Sequence, residues 1–177
     1  VKATKGQLFI DKVDINAIKE RQVPMIRRNI GVIFQDFKLL PKLTVYENVA
    51  FALEVIEQPK RKIRRQVMEV LDLVGLKNKA RSMPNELSGG EQQRVSIARA
   101  IVNKPKIVIA DEPTGNLDPE TSWEIMRIFE EINYRGTTVI MATHSKEIVN
   151  TVKKRVIAIE NGLIVRDEAQ GDYGYEV

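Results

Sequence analysis

The chain has 177 residues, 43% hydrophobic and 29% charged, with a formal net charge of +4, the balance of an ordinary globular domain with its own core. It has no cysteine, which excludes disulfides, thiolate chemistry and cysteine-based zinc sites. Its longest uninterrupted apolar run, Val49 to Leu53, is too short to span a bilayer, and the mild positive charge permits an anionic neighbour without requiring one. Residues 6–15 alternate apolar and polar well enough for a short strand and turn. Residues 30–35 (IGVIFQ) read as a buried strand ending at Gln35, followed by a loop over 36–42 that contains Pro41. Thr44 with Glu47 three residues on is a capping-box pattern opening a helix over 44–57. Ile63, Val67, Val70, Leu71 and Val74 form one helical face, stopped at Gly75.

The character then changes. Ser88 opens a helix that runs through Ile101, and residues 107–110 (IVIA) are a wholly apolar strand of the kind buried on both faces of a parallel sheet. Asp118-Pro119 reads as an N-cap with proline at the first helical position, and Ile125, Ile128, Phe129 and Ile132 continue as a stripe to Gly136. Residues 138–142 (TVIMA) are a second buried strand and 146–152 a short helix. Two strands, 156–159 and 163–165, flank the hairpin turn Asn161-Gly162, and the polar tail from Glu168 reads as frayed. Strand and helix alternate in the second half, which argues an α/β fold with a parallel sheet, and the helical stretch 44–87 reads as an insertion.

Four places carry chemistry. The strand IVIADE ends in adjacent carboxylates, Asp111 and Glu112, whose side chains point different ways. Asp111 is assigned to a divalent metal and Glu112 to the attacking water as general base, the two tasks phosphoryl transfer requires; the bland alternative is an ordinary acidic strand end at the surface. His144, the only histidine, closes the strand TVIMATH at the carboxyl end, where open α/β sheets place ligands. Gln35 closes IGVIFQ and offers an amide to metal or water, or to a partner. The stretch LSGGEQQR, Leu87 to Arg94, opens a helix on a serine and two glycines, a backbone that presents N–H groups to an anion. The run KRKIRR holds five cations in six residues, read as a solvated helix face ahead of a phospholipid or nucleic-acid role. Trp123 reads as core.

Taken as an ordered set, these pieces resemble the ABC-transporter-type ATPases over nearly the whole chain. Gln35 matches the family's Q-loop, Leu87-Ser88-Gly89-Gly90-Glu91 its signature with Glu where Gln is usual, 107–112 its Walker B strand and catalytic glutamate, Asn116-Leu117-Asp118 its D-loop, and His144 its switch histidine. The likeness implies a P-loop NTPase sheet with helices on both faces and an inserted helical subdomain. It divides one cassette domain, 1–177, into core strands and Q-loop (1–43), helical subdomain (44–87) and signature-to-hairpin region (88–177). It further implies ATP and Mg²⁺ as cofactors, with Gln35, Ser88, Gly89, Gly90, Glu91 and Asp118 toward nucleotide, Asp111 and Gln35 toward metal, and Glu112 and His144 in catalysis. Within the family the chain looks most like the cell-division members. These imply a homodimer, an integral membrane partner, no nucleic acid, and a peripheral place on the cytoplasmic face of the membrane at the division site. Lipoprotein-release and macrolide-export members are the alternative. Members with a long coiled coil do not fit, because only residues 36–84, without sustained heptads, separate Gln35 from the signature region.

One departure is large. The family's G-x-x-x-x-G-K-[ST] loop cradles phosphate, and none of the ten glycines is followed by Lys-Ser or Lys-Thr. The chain therefore reads as a cassette without its central Walker A strand, with the apolar edges of 107–110 and its neighbours expected to be open. A non-catalytic binding module is the competing reading.

Overall fold

The computed structural model describes residues 3–174. They fall in two units, Val1–Ala142 and Thr143–Val177, each taken by itself. In the first, Asp11 and Lys12 both take left-handed backbone angles, φ 49° and 65°. That turn matches strand twist and joins β1 (Phe9–Ile10) to β2 (Val13–Asp14) as an antiparallel pair. A short helix α1 (Val23–Arg27), with proline in its first turn, leads into β3 (Ile30–Ile33). Helices α2 (Val45–Glu54), α3 (Lys60–Leu73) and α4 (Gly89–Ile101) follow, then β4 (Ile107–Asp111), α5 (Pro119–Tyr134) and β5 (Thr138–Ala142).

The capping signals act as read. Thr44 Oγ1 accepts from the Glu47 N–H at 3.2 Å while Glu47 Oε2 accepts from the Thr44 N–H at 2.8 Å. Asp118 Oδ1 accepts from the Thr121 N–H at 2.9 Å at the start of α5. Gly75 leaves α3 at φ 71°, an angle that costs glycine nothing.

Strands β3, β4 and β5 form one parallel sheet in that order, with Ile33 opposite Ala110 and Ala110 opposite Met141. One face is dry: Ile33, Val108 and Ala110 are fully buried. Here β3 comes so near α4 that a β-carbon on Gly31 would stand 2.5 Å from the Ala100 carbonyl oxygen, so only glycine fits. The opposite face carries a registered row, Val32, Ile109 and Ile140, exposed by 43%, 39% and 53%. Two expectations are corrected. The apolar runs of β3 and β4 are buried on one face, not two, and β5 is at most half-buried on that face, because alternate side chains point to the uncovered side. The edges of β4 itself are closed, since it is the central strand, hydrogen-bonded to β3 and to β5, and its neighbours β3 and β5 are the outer strands of the sheet; what β4 leaves open is a face. Strand β3 also stops at Ile33, two residues before Gln35.

Helix α2 packs on α3 and α4, and Val45, Val49, Leu53, Val67, Leu71 and Leu76 are essentially dry there. Buried among them, Asn48 organises the loop after Gln35. Its Oδ1 accepts from the Leu40 N–H at 2.8 Å, and its amide donates to the carbonyls of Leu40, Leu43 and Thr44 at 3.1, 2.9 and 3.0 Å. Replacing Asn48 with alanine leaves the Leu40 N–H and the Leu43 carbonyl without this partner, while the Leu40 and Thr44 carbonyls keep the N–H groups of Leu43 and residue 48, at roughly 1–3 kcal/mol for each unsatisfied group. A loss of about 3 kcal/mol in urea unfolding is expected, and a loss below 1 kcal/mol would contradict this account.

In the second unit, α6 (Lys146–Val152) is capped by Ser145, and β6 (Val156–Glu160) pairs antiparallel with β7 (Leu163–Glu168) across Asn161-Gly162. Arg155 and Asp167 close a two-bond fork, both distances 2.7 Å. The tail is not frayed as far as it is described. Arg166 donates to the Gly174 and Asp172 carbonyls at 2.9 and 2.5 Å, and the Tyr173 N–H donates to Asn150 Oδ1 at 2.7 Å. Residues 175–177 lie outside the described residues. Among the described residues, no helix is long and apolar enough to cross a membrane.

Candidate active site

At the carboxyl end of β4, Asp111 is exposed and still paired in register with Ala142. The next residue, Glu112, turns left-handed at φ 44° while its N–H donates to the Ala142 carbonyl at 2.9 Å. A glutamate at that angle is costly, roughly 1–3 kcal/mol, and such angles cluster at functional sites. The chain then folds tightly, Gly115 N–H to Glu112 carbonyl at 3.1 Å and Leu117 N–H to Thr114 carbonyl at 3.1 Å. Gln35 meets this loop: a β-carbon on Gly115 would lie 3.4 Å from Gln35 Nε2 and 3.5 Å from Glu112 Cβ. The structure thus brings Gln35 and Glu112 to one point beside Gly115. His144 is exposed in the second unit, two residues past the end of β5.

The N-terminus of α4 closes as a capping box. Ser88 Oγ accepts from the Glu91 N–H at 3.2 Å, and Glu91 Oε2 accepts from the Ser88 N–H at 2.9 Å. Lys79 Nζ stands 2.9 Å from Glu91 Oε1. The Ser88 N–H and Lys79 hold the Glu91 carboxyl below the usual glutamate range. Its negative charge is therefore spent inward, while Ser88 keeps a hydroxyl proton to donate and the first helical N–H groups lack intrahelical acceptors. That arrangement fits an anion. Asp118 is likewise held low, by the Thr121 hydroxyl and N–H, and serves first as the cap of α5.

Helix α4 is fastened to its surroundings along its length. Gln93, fully buried, donates from Nε2 to the Pro113 carbonyl at 2.7 Å, in the loop that starts at Glu112. Arg94 Nη1 bonds Glu124 Oε2 of α5 at 2.8 Å. Arg99 reaches across to the loop after Gln35, with Nη1 to the Lys38 carbonyl at 2.8 Å and Nη2 to the Phe37 carbonyl at 3.1 Å. Phe37 and Lys38 are themselves left-handed, φ 57° and 48°. The sequence reading missed Gln93, Arg99, Asn48 and Lys79, because the groups they bond lie outside their own helical turns.

Gly90 sets the approach of α4 to α5. A β-carbon there would stand 2.4 Å from Thr121 Cγ2. Gly90→Ala is expected to displace Thr121 from the Asp118 cap and lower the melting midpoint by several degrees. Thr121→Ser, which deletes the offending methyl but keeps the hydroxyl, should restore most of it; no rescue in the double variant would place the cost elsewhere.

Among the described residues, no group of three or more acidic or histidine side chains forms a closed metal cage. One exposed carboxylate at a strand end suits Mg²⁺, which keeps several waters and takes its other ligands from phosphate.

A three-strand parallel core, an acidic strand end and an anion-ready helix N-terminus are features this chain shares with the ATP-binding cassettes. The ADP- and phosphate-bound dimeric cassette MJ0796 superposes with TM-score 0.82 at 36% identity, over 98% of this chain and 77% of that one. The chain belongs to the ABC transporter family, whose model matches residues 1–115. It is 70% identical over 173 residues to the cell division ATP-binding protein FtsE of Bacillus subtilis (strain 168), covering 98% of this chain and 76% of that protein. It is 65% identical over 176 residues to FtsE of Streptococcus pneumoniae serotype 2 (strain D39 / NCTC 7466), covering 99% and 76%.

Proposed function

We propose that this chain belongs to the ATP-hydrolysing subunit of a cell-division complex, acting as a homodimer on the integral membrane protein FtsX to control cell-wall hydrolysis. It would sit on the cytoplasmic face of the membrane at the division site. The cell-division assignment is supported by the 70% identity to FtsE. The observation that carries the catalytic reading is the meeting of Gln35 and Glu112 at Gly115. We read 1–177 as one cassette domain, with 1–43 and 88–177 as core and 44–87 as helical subdomain.

In this reading Glu112 accepts the proton of the attacking water, and Gln35 orients that water and reaches toward the metal. Asp111 would hold Mg²⁺, which when bound would supply neutralisation of phosphate charge. His144 donates a hydrogen bond to the γ-phosphate. Ser88 and the N–H groups at Gly89 and Gly90 serve the γ-phosphate carried by the other subunit, with Glu91 fixing their geometry and Asp118 bordering the shared site. A groove lined by Arg27, Arg28, Val55, Ile56, Arg99 and Asn103, between the core strand β3 and helix α2, receives a cytoplasmic segment of FtsX. Co-purification with FtsX in preference to lipoprotein-release or macrolide-export permeases tests the division role; equal retention of all three would overturn it.

A second reading rests on the ten glycines, none followed by Lys-Ser or Lys-Thr: the 177-residue chain is a binding module without turnover. ATP hydrolysis by the purified chain, abolished by Glu112→Gln, would refute it.

A further inference from the structure

Helix α3 carries its charge where a helix disfavours it. Its first turn, Lys60-Arg61-Lys62, is wholly basic, without an acidic residue or a side-chain cap. Cations there meet the positive pole of the helix dipole. Arg64 and Arg65 complete five cations in six residues, and all five are exposed. The helix cannot turn them inward, because Ile63, Val67 and Leu71 are buried on its other side. Acid is kept to the later turns, where Glu69 stands 3.6 Å from Arg65 and Asp72 stands 3.4 Å from Lys77. Among the described residues, Lys60, Arg61, Lys62 and Arg64 make no ion pair and no side-chain hydrogen bond. A merely solvated face would intersperse its signs; this one concentrates four uncompensated cations.

An open groove runs beside them, with Arg61, Lys62, Arg64, Arg65, Met68 and Lys77 in its wall. No aromatic side chain lines it, so it lacks the stacking platforms with which proteins hold single-stranded nucleic acid. Its place in the chain favours a membrane instead. Val55 and Ile56 stand in the groove given above to FtsX, and the chain runs from them through Pro59 directly into the basic turn.

We propose that the basic face of α3 lies on the headgroups of anionic phospholipid, a hold on the bilayer separate from the membrane partner. This rests on the reading of the subunit as peripheral on the cytoplasmic face of the membrane. Anionic lipid attracts Lys and Arg near the surface by a roughly constant amount per charge. Contact with it also relieves the repulsion that the first turn carries in water.

The test floats the full-length subunit, without its partner, with phosphatidylcholine vesicles that hold about 30% phosphatidylglycerol, or none. The anionic vesicles should bind it more tightly by a factor of ~10 or more. Arg61→Gln with Arg64→Gln should weaken that binding roughly 25-fold, about fivefold per cation. Arg61→Lys with Arg64→Lys should keep it, since charge and not the guanidinium fork is read. Salt near 1 M, where the Debye length is about 3 Å, should abolish it. The Gln variant should melt no lower than the parent, because it removes cations from the positive pole; were it misfolded, Lys60→Gln with Lys62→Gln carries the same expectation. Equal binding to both vesicles, no binding to either, or unchanged binding in the Gln variants overturns the proposal. So does tighter binding of an RNA or duplex DNA 20-mer than of the anionic vesicles, lost in the same variants. Co-purification with FtsX reports on the division reading separately: its failure beside intact vesicle binding would sink that reading and sustain this one.

Discussion

In the full-length protein, Glu112→Gln is expected to lower ATP turnover at least a hundredfold and to leave an ATP-bound dimer that survives gel filtration with ATP and Mg²⁺. The change is nearly isosteric. The left-handed turn at φ 44° and the N–H bond to the Ala142 carbonyl at 2.9 Å involve only backbone, so neither is altered. What goes is the carboxylate that takes a proton, and positioned general bases contribute about 10²–10⁴ in rate. Binding and closure do not need that proton transfer, so the assembly accumulates one step before hydrolysis. A variant that stays monomeric with ATP and Mg²⁺ would sink the role given to Glu112.

Ser88→Arg should abolish ATP-driven dimerisation while leaving nucleotide affinity within about twofold in the subunit that carries it. Loss of the Ser88 cap, whose Oγ accepts from the Glu91 N–H, costs about 1 kcal/mol. The larger effect is geometric and electrostatic. A long cation now occupies the exposed mouth where, in the proposed dimer, the helix N-terminus would take a phosphate from the other subunit, and it adds positive charge at the positive pole of α4. Ser88→Ala separates the two contributions: it removes the cap and hydroxyl but leaves the mouth open, so dimerisation should weaken rather than vanish. Equal loss of nucleotide binding and dimerisation in Ser88→Arg would count against a site shared between subunits.

Local rules made much of this legible. Thr44 with Glu47, and Asp118 with Pro119, announce helix starts through bonds that span three residues, and the structure makes those bonds. Asn161-Gly162 announces its hairpin for the same reason. The acidic end of IVIADE was legible too, whereas the meeting of Gln35 with Glu112 needed the strand order that sets β3 beside β4. Illegible were the consequences of what neighbours each face. IVIA reads as buried on both sides, yet Ile109 is 39% exposed, because burial depends on what covers a sheet and not on its own pattern. Gln93 and Arg99 look like solvent-facing polar residues until the loops they hold are in place, since their acceptors, the carbonyls of Pro113, Phe37 and Lys38, lie far away in sequence. A composition of polar type carries no hint of a distant backbone acceptor.

The fastenings of α4 bear on how the molecule opens. Regions that loosen together form cooperative units whose opening energy is shared. Gln93 ties α4 to the loop of Glu112, Arg94 ties it to α5, and Arg99 ties it to the turn after Gln35. Neither loop can fray without shedding a bond to the same helix, and unwinding the helix releases both. Breathing that exposes the amides of one loop to exchange is therefore energetically linked to the other. The loop of Glu112 and the turn after Gln35 therefore melt as a single block, not as two independent flaps.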